Sequence, residues 1–154
     1  MRLDLRTALP LIIPKAIAWA EVQYAAIAAA GMPPDAALLS LAASVGVAQP
    51  ERIRLLEVGQ LPLPEDLELR HAAIEMRLLG PSMPGITFGY GVLVCRGHMN
   101  DVRFLSHEFR HVHQYEEAGS IAAFIPTYLQ QVVASGYHNA AFEADARAYE
   151  ADRL

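Results

Sequence analysis

At 154 residues the chain has the length of one domain that buries a core without disulfides or a structural metal. Hydrophobic residues make up 53% and charged ones 19%, which excludes a disordered chain and leaves a well-filled core or a surface that meets something apolar. The net charge of -5 offers no basic footprint for nucleic acid, and the arginines are too dispersed for a polybasic lipid site. Cys95 is the single cysteine, so no internal disulfide forms; it reads as a small buried hydrophobe, and a cytoplasmic setting is the expectation, with secreted or membrane-peripheral settings left open.

Residues 1–48 read as helical. Pro14 can open a helix that runs to about Ala30 and closes at Gly31 and Pro33-Pro34. It is apolar on nearly all sides, so it should be buried or face a protein partner. Lys15, Glu21 and two prolines interrupt it, which argues for a core helix and against an integral membrane segment or a signal peptide. A second helix follows from Pro34 or Asp35 to about Val45, with Gly46 as its stop. The alternation Arg52-Ile53-Arg54-Leu55 suggests a half-exposed strand within 51–58, and Leu61-Pro62-Leu63-Pro64 a stiff connector.

A third helix is expected from Glu65 to Leu79, ended by Gly80-Pro81. Gly85 to Cys95 is rich in β-branched and aromatic residues and punctuated by glycine, which predicts a long strand with a bulge or two short strands. A helix capped by Asn100 or Asp101 then runs to Ala118, with Leu105, Phe109 and Val112 as its core stripe. Ser120 caps a further helix through Val133 that contains Pro126, and Asn139 is placed to cap the last one, with Phe142, Ala146 and Tyr149 as its buried stripe.

The stretch His107-Glu108-Phe109-Arg110-His111 concentrates the chemistry. Positions i and i+4 share a helix face, so His107 and His111 can aim ring nitrogens at one cation. Glu108 lies about 100° further round, where it can accept a proton from an attacking water. This H-E-x-x-H spacing is the zinc metalloprotease arrangement. A catalytic zinc site takes three protein ligands and keeps one position open. The metzincin pattern would require glycine and histidine where Gln114 and Glu117 stand, so the third ligand must come from elsewhere. Glu143, at the start of the last helix, is the candidate, with Asp145 as the alternative. Glu143 could also form an ordinary i,i+4 pair with Arg147. Gln114 could orient a ligand or be solvated, Tyr137 and His138 could donate to an oxyanion or simply pack, and His113 turns away from the pair.

The segment from Gly85 to Tyr149, with His107-Glu108-Phe109-Arg110-His111-Val112-His113-Gln114 and then Gly136-Tyr137-His138-Asn139 before the Glu143 helix, resembles the gluzincin branch of zincin metallopeptidases, in particular small bacterial zincin-like proteins. The resemblance implies one α+β domain of minimal zincin type, with residues 85–154 as its metal-site part and a small mixed or antiparallel sheet beside the metal helix. It implies His107, His111 and Glu143 as ligands of one Zn2+, Glu108 as general base, and hydrolysis of a peptide or protein substrate. A catalytically idle zincin-fold interaction module is the alternative. An extended peptide would lie along the edge of 86–94, with Gly89 and Gly91 admitting its backbone.

Overall fold

Among the described residues, short polar side chains start five of the six helices, each accepting from the backbone N–H three residues on: Asp4, Asp35, Asp66, Asp101 and Ser120. The computed structural model describes residues 4–154. In chain order the elements are α1 (Leu5–Ala30), α2 (Ala36–Ser44), a 3-10 turn (Pro50–Arg52), β1 (Arg54–Val58), α3 (Leu67–Glu75), β2 (Gly85–Phe88), β3 (Gly91–Cys95), α4 (Val102–Ala118), α5 (Ile121–Ser135) and α6 (Ala141–Ala148). The fold is mixed α+β.

Three expected boundaries move, each for a local reason. Helix α1 begins nine residues before Pro14, at Leu5, because Asp4 caps it and both Pro10 and Pro14 sit on its exposed side. The backbone hydrogen bonds that the two prolines forfeit therefore leave carbonyls facing water. Helix α3 stops at Glu75, short of Leu79, where Arg77 takes a left-handed φ of 61°. Helix α6 is not capped by Asn139: its N-cap position is Ala140, and Gln131 of α5 instead accepts from the Phe142 N–H at 2.9 Å.

The sheet is three-stranded and mixed, in the order β1-β3-β2, with β1 parallel and β2 antiparallel to β3. Alternation along the strands splits the core into two layers. Leu55, Val92 and Val94 face α2 and α4, while Phe88 and Leu93 face α1, α3 and α5. Cys95 is half-buried at the end of β3. Helix α1 is long and apolar enough, by length and composition, to cross a membrane. Here it lies against α5, α3 and the sheet, burying Leu9, Ile12, Ala20 and Ile27 while Leu11 and Val22 stay 67% and 64% exposed.

The expected peptide edge along 86–94 is not one edge. Strand β3 is paired on both sides, so only β2 keeps a free flank. Gly89 opens the two-residue turn between them at φ 62°, the position where hairpin turns of type II′ place glycine. A Cβ there would come within 2.6 Å of the Tyr24 ring, so Gly89 serves the turn and the packing of α1 rather than approach of another chain. Gly89→Ala should therefore cost about 2 kcal/mol through its positive φ alone, a fall in Tm of roughly 4–8 °C for a chain of this size. An unshifted melting curve would contradict this role.

Candidate metal centre

Asp101 sets the start of α4 by accepting from the Phe104 N–H at 3.1 Å, and Gly119, left-handed at φ 95°, ends it. Leu105, Phe109 and Val112 are buried against α2 and the sheet, as the stripe requires. That rotation turns His107 and His111 toward α5 and α6, with ring centroids 4.9 Å apart. Glu143 enters from the first turn of α6 and is 2% exposed.

The carboxylate of Glu143 spans both imidazoles. Its Oε1 lies 3.0 Å from His107 Nε2 and its Oε2 3.2 Å from His111 Nε2. One ligand atom from each of the three residues lies within 4.8 Å of the others, so the group could hold a metal ion. The opposite ring nitrogens are already engaged. His111 Nδ1 is 2.7 Å from Gln114 Oε1, and His107 Nδ1 is 2.8 Å from Glu150 Oε2. Gln114 Nε2 donates to Phe142 O and Asp145 Oδ2, both at 2.9 Å, which turns its amide oxygen toward His111. Gln114 Oε1 and Glu150 Oε2 are acceptors, so both rings carry their proton on Nδ1 and present the Nε2 lone pair to Glu143.

Two lone pairs facing a buried carboxylate require positive charge between them. Without a metal, protons supply it: burial lowers the pKa of His111, but the hydrogen bond and charge of Glu143 outweigh burial and carry it up to about 9. His107 is raised by the same balance. Burial pushes Glu143 up, and its bonds to His107 and His111 reverse this, holding the carboxyl well below the usual range. Tyr128 adds a hydroxyl donor to Glu143 Oε2 at 2.5 Å.

Glu108 stands outside this trio. It is 6% exposed and accepts from Thr87 Oγ1 of β2 at 3.0 Å, and burial raises its pKa against the pull of the two histidines. Asp145 does not face the donor set. It is paired with Arg110, Oδ2 to Nε at 2.8 Å, and acts on His111 only through Gln114. Tyr137 is half-buried and borders the cavity beside Glu143, whereas His138 is exposed and contributes its carbonyl to Arg147. Arg147 is thereby taken from the helical pair with Glu143 that the spacing allowed. Tyr149 is exposed and stacks under the Arg110 guanidinium at 3.6 Å instead of joining the core stripe. His113 turns to the Gly46 carbonyl at 2.8 Å.

Thr87, Tyr128 and Glu150 are site residues that sequence reasoning did not reach. Glu150 lies beyond the end of α6 and arrives at His107 because Ala151 N–H donates to the buried Ser106 Oγ at 2.8 Å. No family model, curated protein or solved structure matches the chain.

Two outcomes follow from this geometry. Glu143→Ala should weaken metal affinity far more than Asp145→Ala, whose loss should stay within about 10- to 100-fold because it acts through Gln114; chelator competition ranks the two. In the metal-free chain the His111–Glu143 interaction contributes fully between the unfolded values of 4.5 and 6.5. It fades as pH rises through about 9, where folded His111 loses its proton, and also as pH falls below the carboxylate range. Thermal melts in chelator should show stability declining from pH 6.5 to 9, and His111→Ala should flatten that decline.

Proposed function

We propose that the chain is a zinc-dependent metallopeptidase of minimal zincin type. The observation that supports this reading best is the convergence of His107, His111 and Glu143 with Glu108 held beside them by Thr87. Two imidazole nitrogens and one carboxylate suit zinc, and three protein ligands leave a position for substrate or water. The antiparallel edge strand β2 packed on the metal-bearing helix is a further point in favour.

When bound, zinc supplies Lewis acidity, lowering the pKa of water and polarising the scissile carbonyl. The residues then divide the work. Glu150 and Gln114 fix the two rings so that their Nε2 atoms converge. Glu108, aimed by Thr87, takes the proton of the attacking water and passes it to the leaving amine; a raised pKa suits both halves of that transfer. Tyr137, kept protonated by burial, is the neutral donor available to the developing oxyanion.

The exposed Leu11 and Val22 on α1 favour a second reading, a catalytically idle zincin-fold module that offers its N-terminal helix to a protein partner. One experiment separates the two. Zinc-loaded wild type should cleave members of a diverse peptide library, and Glu108→Gln should retain zinc and fold while losing on the order of 10²- to 10⁴-fold in kcat. Absence of cleavage by zinc-replete wild type would transfer the assignment to the module.

A further inference from the structure

An apolar cavity of about 100 Å³ opens directly off the donor set. Thr87, Glu108, His111, Tyr128, Tyr137 and Glu143 form its polar end. The remainder is lined by apolar side chains, among them Ile12 and Trp19 of α1, Met76 beyond α3, Phe88 of β2 and Leu129 of α5. These walls come from α1, the α3 region, β2 and α5, all outside the five-residue H-E-x-x-H motif, so the shape of the space is set by how this chain packs those elements and not by the motif.

Size and polarity narrow the occupant. An apolar cavity of about 150 Å³ binds benzene, with six carbons, so a space two thirds as large suits about four. Several residues of an extended chain cannot fit. Among the described residues, Glu108, His111 and Glu143 at the polar end are the charged or readily charged groups of the lining, so a charged side chain reaching past them into the apolar part would be buried without a partner, at a cost that excludes it. The β2 flank next to the cavity is also partly used, since the Thr87 carbonyl accepts from the Tyr115 hydroxyl at 3.2 Å.

Resting on the peptidase reading above, we infer that this cavity receives one uncharged aliphatic side chain of about four carbons, the size of leucine, isoleucine or methionine, from the residue flanking the cleaved bond. The substrate class is a peptide that presents such a residue beside its scissile amide. Selection comes from this single side chain and not from a long run of backbone pairing.

Trp19 is the only tryptophan in the chain, lines the cavity and packs edge-on against Phe88 at 5.5 Å between centroids, so its fluorescence reports occupancy. The probes are acetohydroxamate and isovaleryl hydroxamate, added to the zinc-loaded full chain and followed by calorimetry and Trp19 emission. The longer probe should bind on the order of 50-fold tighter, the affinity that burying three more carbons brings, and should shift Trp19 emission. Ala16→Leu, which fills the cavity from α1, should erase the difference while retaining zinc and Tm. Met83→Ala, at a half-buried wall position, should widen the space and move the preference toward a phenylpropionyl hydroxamate, which keeps the test alive if Ala16→Leu does not fold. Equal affinity for the first two probes in zinc-replete wild type overturns the inference alone, as does tighter binding with silent Trp19. Failure of wild type to take up zinc overturns the peptidase reading and the inference with it.

Discussion

The carboxylate of Glu143, buried between two imidazoles whose other nitrogens are already committed, is the constraint on which the remaining architecture depends. A buried anion is tolerated only when paired and hydrogen-bonded. Two ring lone pairs aimed at it add repulsion until a cation or protons stand between them. The arrangement is therefore a receptor for positive charge, and the surrounding contacts exist to keep it in that form. Helix α6 must hold Glu143 in place, α5 must bring Tyr128, and the segment after α6 must return along α4.

Long-range hydrogen bonds meet each of these demands. Gln131 of α5 starts α6 by accepting from Phe142. Ser106, fully buried on α4, receives the Ala151 N–H and so brings Glu150 to His107. Arg110, Asp145, Gln114 and His111 form one chain of donors and acceptors that ends at a ring nitrogen. Such a chain holds the His111 ring in one tautomer and one orientation, so little reorganisation would be left if a cation entered. Arg110 also donates to the Val45 carbonyl at the end of α2, which ties the N-terminal half to the same network.

The N-terminal helices have a second role. Helix α1 packs across the sheet and α5, closes the hairpin turn at Gly89 with Tyr24, and lines the cavity beside the donor set with Ile12, Ala16, Trp19 and Ala20. Two histidines of a five-residue motif and Glu143 form the donor set, and a helix some ninety positions from the motif supplies apolar surface next to it. The site is thus assembled from both ends of the chain.

Much of the local structure was legible from the chain alone, because its causes lie within a few residues. Asp101 and Ser120 cap where short polar side chains precede apolar periodicity, Gly119 and Gly136 end helices, and the i,i+4 spacing of His107 and His111 puts them on one face whatever surrounds them. Helix α1 starts nine residues before Pro14 because a proline inside a helix is tolerated according to which side it faces, and exposure is not a local property. Asn139 looked like a cap, yet the N–H it would have served is taken by a glutamine eleven residues away. Thr87, Tyr128 and Glu150 were out of reach for the same reason. Each touches its partner across 15 to 43 positions of chain, a proximity set by how the helices pack on the sheet. Residue types and their spacing determined which groups could do chemistry; only the tertiary structure decided which of them meet, because contacts between distant segments depend on the packing of whole faces.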